Sequence, residues 1–332
     1  MKIKKNSVYA GIFIAAVLII GTFYYTNYYK KNQKSPLAAD KKAANDSIAW
    51  MVDTNGYIYY PLSRGNVKFN RQDYAETKNL LMSRIIYQSK NGNIYGLLIM
   101  PKNVTELLPG IVLLPGAGVS KESELNLAKN MAELGAFVLV IDQRGVGETT
   151  APINSIKQDY IDFINAREPS QHLMVYDALR GFDLLRSAPF IDPDRIIIMG
   201  ESLGGGIAII AAAIDRNVHG VLVISSSGFD FAETNDTKIN VFLKSIDADH
   251  YIGLVTPRKL VMMHNSYDKI IPLEAAIRTY SKAQEPKQFA LVNDTSCNHG
   301  YCDSMYSGLI EALDYLVNIK SRTLVSIPDK LK

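Results

Sequence analysis

The sequence predicts an α/β fold: a mostly parallel sheet of eight strands with helices on both faces, preceded by one N-terminal transmembrane helix. Three observations predict it. From about residue 81, short runs of strand type ("PGIVLLP", "FVLVID", "KLVMMHN") alternate with amphipathic segments. The runs are apolar throughout rather than at every second position, as strands covered on both faces of a parallel sheet require. Ahead of them, "VYAGIFIAAVLIIGTFYY" carries no charge from Val8 to Tyr25, enough residues for a helix to cross a bilayer's hydrocarbon core.

Residues 1–30 read as the anchor. Tyr24, Tyr25, Tyr28 and Tyr29 form an aromatic belt at its exit, followed by Lys30 and Lys31. A cleaved signal peptide is the alternative, but these bulky residues stand where small ones are needed for cleavage, and "LAAD" lies well downstream. Lys2, Lys4 and Lys5 nearly balance Lys30, Lys31 and Lys34, so charge alone barely orients the segment. A short basic tail before a first apolar segment stays inside. The remainder is therefore expected outside the cytoplasm. Residues 31–80 read as a stalk, polar and rich in alanine and lysine at first, then a less regular extension with Trp50, Tyr57, Tyr59 and Tyr60.

The α/β domain is placed at 81–322. It opens with two strands around Lys90-Asn91-Gly92-Asn93, where Asn-Gly favours a tight hairpin. "SELNLAKNMAELGA" has helical spacing and stops at Gly135; "HLMVYDALRGFDLLRSA" and "SMYSGLIEALDYLVNIK" are further helices. Two connections, 147–171 and 228–257, exceed ordinary loop length and leave strands at the carboxyl edge, where lids and specificity walls are built.

Composition narrows the partners. Of 332 residues, 47% are apolar and 21% charged, an ordinary globular balance. With a net charge of +3 and no basic stripe, nucleic-acid binding has no electrostatic footprint. No metal is expected, because no second Cys or His pair stands at ligand spacing.

The chemistry centres on "RIIIMGESLGGG". Gly200-Glu201-Ser202-Leu203-Gly204 matches G-x-S-x-G with a strand before and a helix after. The turn strains the serine, so positions two before and two after must lack side chains. A serine merely tolerated in a glycine-rich turn is the bland alternative, and partners elsewhere decide against it. Of the five histidines (172, 219, 250, 264, 299), His299 is the candidate base, in "SCNHGYC" between the last strand and last helix. Asp268 is the candidate orienting acid, with Asp247, Asp249 and Asp294 as rivals. Ser202, Asp268 and His299 then follow one another on carboxyl-edge loops. The backbone N–H groups of Leu203 and of Ala117, in "LPGAG", are the candidate oxyanion donors. Cys297 and Cys302 bracket the histidine and either close a small ring in an oxidising compartment or stand as separate thiols.

With "LPGAG", "IDQRGVGET", "RIIIMGESLGG", "HNSYDKIIP" and "CNHGYC" in place, residues 81–320 resemble the α/β-hydrolase superfamily. Within it they are similar to dienelactone-hydrolase-like esterases and prolyl-oligopeptidase-type catalytic domains. The resemblance maps nucleophile, acid and base onto Ser202, Asp268 and His299, and makes Arg144 structural. Pro115-Gly116 replaces the family's usual His-Gly, which leaves the backbone donor in place. The expectation is a membrane-anchored serine hydrolase cleaving a small-molecule carboxylic ester through an acyl-enzyme, with no cofactor. An aminopeptidase-like serine peptidase and a non-catalytic surface-binding module are the alternatives.

Overall fold

The protein is described by a computed structural model over residues 50–319. The anchor and the first part of the stalk, residues 1–49, lie outside the described residues. Among those described, no helix is long and apolar enough to cross a membrane.

A small antiparallel pair, β1 (Met51–Val52) and β2 (Ile58–Tyr59), precedes the main sheet. The extension that carries it packs on the body. Ile58 is fully buried, Trp50 lies 5.5 Å from His172 ring to ring, and Tyr57 stacks on His250 at 4.1 Å. The main strands are β3 (Phe69–Glu76), β4 (Leu80–Ser89), β5 (Gly92–Pro101), β6 (Leu108–Leu114), β7 (Phe137–Ile141), β8 (Ile191–Glu201), β9 (Gly220–Ile224), β10 (Lys259–Asn265) and β11 (Lys287–Val292). Their order across the sheet is β11-β10-β9-β8-β6-β7-β5-β4-β3. From β11 to β7 all neighbours are parallel; β7, β5, β4 and β3 are joined antiparallel.

The main sheet therefore has nine strands rather than the expected eight. The eight read from the sequence are present; the ninth is β3, and the sheet starts ahead of residue 81. Seven of its eight residues are exposed, so no apolar pattern betrays it. Backbone pairing with β4 and the length of that neighbour hold it. An exposed edge strand rich in charge is also how sheets avoid unwanted pairing.

Helices cover both faces. One side carries α3 (Ser170–Arg186) and α4 (Leu203–Ile214), whose apolar faces join the core cluster around Val112, Ile198 and Val223. The other carries α1 (Leu125–Glu133) and α7 (Tyr306–Val317), packed on Ile111, Met199 and Leu222. The alternation along β8 thus feeds two separate cores. The two long connections are helical. Residues 147–171 contain α2 (Ile156–Ile164), and 228–257 contain α5 (Thr237–Ser245) and α6 (Ala248–Tyr251). They meet through Tyr160 and Phe163, whose rings lie 5.6 and 5.5 Å from that of Phe242.

Arg144 is almost wholly buried and forks onto Asp177 with bonds of 2.7 and 2.8 Å, while also donating to Lys90 O. It ties the loop after β7 to α3 and to the β4–β5 turn. Removing one member of such a pair strands a charge in the interior. Arg144→Met is expected to cost about 3–5 kcal/mol in denaturant unfolding, with Arg144→Met/Asp177→Leu recovering most of it. A single-variant loss under about 1 kcal/mol would show that the pair is not a structural tie.

Candidate active site

The strand β8 ends at Glu201 and α4 starts at Leu203, so Ser202 alone makes the turn. Its backbone has φ +50° and ψ −119°, a conformation that L-residues adopt at a cost. The flanking glycines are obligatory. A Cβ on Gly200 would stand 2.2 Å from Gly204 C, and one on Gly204 would stand 2.1 Å from Leu114 O. Ser202 N–H donates to Ile224 O (3.0 Å), and Ser226 Oγ donates to Ser202 O (2.6 Å), which pins the turn to the end of β9. The side chain is thereby held above the sheet.

His299 and Asp268 meet as expected. His299 Nδ1 lies 3.0 and 2.9 Å from the two Asp268 carboxylate oxygens. Asp268 Oδ1 also accepts the N–H groups of Ile270 (2.8 Å) and Ile271 (2.9 Å). Burial works to raise the Asp268 pKa, but the bond to His299, these N–H groups and the imidazole charge together hold it below the ordinary value. The acid is thus a stable anion. With Nδ1 donating to it, Nε2 is the nitrogen free to accept a proton.

No hydrogen bond joins Ser202 Oγ to His299 among the described residues, and such bonds often tighten only around substrate. Adjacency rests instead on their chain neighbours. Tyr301 N–H donates to Glu201 Oε2 (3.1 Å), Ser225 Oγ to Gly300 O (3.4 Å), and a Cβ on Gly300 would stand 2.6 Å from Glu201 Oε2. The residues after the base therefore lie directly on the residue before the nucleophile. Cys297 and Cys302 form a disulfide across this loop.

The rivals are engaged elsewhere. Asp247 accepts from Phe229 and Asp249 N–H groups, Asp249 pairs with Arg278 and Lys282, and Asp294 receives Ser296. His172 bonds Ser245 Oγ (2.7 Å) and is pushed down to about 3 by burial. His264 is buried behind the acid, with Nε2 on Ile271 O (2.9 Å) and 4.0 Å from Asp268 Oδ2.

The oxyanion candidates sit together. Leu203 is the first residue of α4, so its N–H has no intrahelical acceptor. Ala117 lines the same cavity as Ser202 and Leu203. A Cβ on the preceding Gly116 would stand 3.4 Å from Ser202 Cβ, so the loop passes close over the nucleophile. Gln143 Nε2 donates to Pro115 O and holds that loop down.

Two features escaped the sequence reading. One is the cavity that opens at Ser202, walled by Val175 of α3, Ile207 and Ile210 of α4, and Ile246 and Phe229 of the 228–257 connection. Its residues come from elements that share no local motif. The other is a pair of buried carboxyls, Glu201 and Glu124, the latter capping the start of α1. Burial first, then the neighbouring Glu124 charge, push Glu201 up to about 8; burial raises Glu124 to about 7. Glu201 Oε1 has no donor among the described residues. One proton between the two acids turns that contact from a repulsion into an O–H···O hydrogen bond. The glutamate inside G-x-S-x-G was the only visible signal, and nothing in the letters pointed to its partner.

The sequence model of the acetyl xylan esterase (AXE1) family matches residues 63–252, more than half of the chain. Among curated proteins, the uncharacterised YfhR of Escherichia coli K12 is 26% identical over 170 residues, 47% of this chain and 60% of YfhR. The chain thus spans about 60% of the length of that relative. Rv2307c of Mycobacterium tuberculosis H37Rv is 26% identical over 214 residues, 63% of this chain and 69% of that protein. Among solved structures, acetyl xylan esterase 1 from Thermoanaerobacterium sp. JW/SL YS485 superposes with a TM-score of 0.62 at 16% identity, covering 76% of this chain and 89% of that one. The acetyl xylan esterase from Paenibacillus sp. R4 gives 0.64 at 19% identity, covering 75% and 88%. At such identities the superpositions speak for a shared α/β-hydrolase fold, and the sequence match for kinship: the chain belongs to the acetyl xylan esterase (AXE1) family.

Proposed function

We propose that the protein is a serine esterase that cleaves a small-molecule carboxylic ester through an acyl-enzyme. The observation that carries this is Ser202, held at φ +50° at the mouth of a cavity beside the Asp268–His299 pair. Ser202 Oγ attacks the ester carbonyl while His299 Nε2 takes its proton. Asp268 holds the imidazolium that forms. The N–H groups of Ala117 and Leu203 stabilise the oxyanion. His299 returns the proton to the leaving alcohol, then activates water to release the acid and restore Ser202. The esterase relatives and the family membership support the ester as the bond. No charged side chain stands among the cavity-lining residues, so none is there to hold a peptide's terminal ammonium.

The domain is further proposed to be tethered to a membrane by Val8–Tyr25 and to lie outside the cytoplasm. The Cys297–Cys302 disulfide supports an oxidising compartment. Protease added to intact cells should then remove the domain; full protection would place it inside.

A fluorophosphonate probe should label the wild-type protein and fail to label Ser202→Ala. Wild-type protein that stays unlabelled would overturn the esterase reading. With p-nitrophenyl esters, His299→Ala is expected to lower kcat by about 10⁴–10⁶-fold, and Asp268→Asn by about 10⁴-fold. A variant that keeps wild-type turnover would remove that residue from its role.

The buried carboxyl pair adds a pH dependence. Glu201 and Glu124 ionise near 8 and 7 in the folded protein, against an ordinary value of 4.5. Between these values the folded state holds more protons than the unfolded chain, so stability falls as pH rises from about 5 to about 8. Glu124→Gln should flatten that fall in thermal unfolding across the same range; parallel curves for the two proteins would show that the pair does not ionise as described.

A further inference from the structure

The cavity at Ser202 is shaped for more than an acetyl group. It holds about 80 Å³. Along α4 it runs from Leu203 to Ile210, about 10 Å at about 1.5 Å per residue, the length of an extended chain of about eight carbons. Leu203, Gly206, Ile207 and Ile210 form one face of α4, recurring at helical spacing away from the nucleophile. Val175 faces them from α3, and Ile246 and Ala248 roof them from the 228–257 connection. Ile207, Ile210, Val175, Ile246 and Ala248 are all nearly inaccessible to solvent.

The hydroxyls in the wall are already spent. Ser226 Oγ donates to Ser202 O, Ser227 Oγ to Gly228 O, and Ser245 Oγ to Phe242 O while also bonding His172. They present little unsatisfied polarity to an occupant. Gln171, 6% exposed, is the exception: its side-chain amide makes no hydrogen bond among the described residues, and it sets one amide in an otherwise apolar wall.

Which part of an ester belongs there follows from the order of steps. The acyl group stays bonded to Ser202 after the alcohol has gone, whereas the alcohol must leave and be replaced by water next to the base. The side chain of His299 is 23% exposed, so a leaving alcohol and an incoming water meet solvent beside the base. The alcohol side therefore faces solvent, and the cavity faces the acyl side.

We propose that this cavity is an acyl site for an unbranched apolar chain of about four to eight carbons, and that the face of α4 running from Leu203 to Ile210 sets the chain-length preference. Acetyl would leave most of the apolar wall uncovered. This rests on the serine-esterase reading above. Each methylene buried there is worth about a four-fold gain in kcat/KM, so hexanoyl should exceed acetyl by about 10²-fold.

The test measures kcat/KM for p-nitrophenyl acetate, butanoate, hexanoate, octanoate and dodecanoate on the full-length protein, with fluorophosphonate labelling of Ser202 in parallel. The expected profile rises from acetate to a maximum between butanoate and octanoate, then falls at dodecanoate. Gly206→Leu fills the cavity from α4. A Cβ there meets only Ala248 Cβ at 3.8 Å, and leucine favours the helix, so the fold should tolerate the change. It should cut the hexanoate-to-acetate ratio by at least about ten-fold while Ser202 remains labelled. A profile highest at acetate with labelling intact would overturn the acyl site and leave the esterase reading standing. So would an unchanged ratio in labelled Gly206→Leu. Absence of both labelling and turnover in wild type would overturn both.

Discussion

The site depends on a single backbone constraint, the turn at Ser202. A residue at φ +50° between a strand and a helix can be held only if the chain on either side closes tightly around it. Here that closure is literal. The Cβ positions of Gly200 and Gly204 would lie inside neighbouring backbone, and that of Gly205 would stand 2.7 Å from Ser226 Cβ. The same tightness brings the "LPGAG" loop over the serine and leaves Glu201 facing the histidine loop. None of these placements survives a more relaxed turn.

The buried acids around this turn divide by how they are compensated. Asp268 receives two backbone N–H groups and an imidazole, which outweigh the cost of burial, so it remains an anion where the mechanism needs one. Glu201 receives one N–H and faces a second carboxyl, so burial wins and it holds its proton. In the proposed mechanism that distinction matters. A charged Glu201 next to the nucleophile would oppose the oxyanion, whereas a charged Asp268 beyond the imidazole favours the imidazolium. Two carboxyls within one small site thus carry opposite states, each set by its donors rather than by its residue type.

Legibility followed burial. Of the eight strands read from the letters, β6, β7 and β9 are buried along their whole length, β10 in all but its first residue and β8 from Ile196 onward, while β11 was read from its apolar letters alone. Strand β3 was invisible because "FNRQDYAE" is exposed and held by its ladder, and a backbone ladder leaves no residue signature. The Ser202 turn was legible because it imposes glycines at fixed spacing. The Asp268–His299 pairing was legible because strand ends place the two residues in order. The cavity and the Glu124–Glu201 pair were not, since each joins residues from separate elements, and such meetings are decided by packing. The lid-like stretches were recognisable by length, while their helices and their meeting at Phe242 required the tertiary structure.

Kinship and chemistry cover different parts of the chain. The family match ends at residue 252, so it includes Ser202, the oxyanion loop and most of the roof, yet stops before Asp268 and His299. The sheet explains how these halves join. β10 lies parallel to β9 and β11 to β10, which brings the loop after each strand to the edge where β8 delivers Ser202. Asp268 follows β10, His299 follows β11, and a disulfide closes the second loop. The body therefore brings the three candidate groups to one edge by topology, while the 228–257 connection roofs the cavity at Ser202. Because those two contributions come from different elements, the proposed chain-length preference would be set by the roof and α4 independently of the candidate catalytic groups.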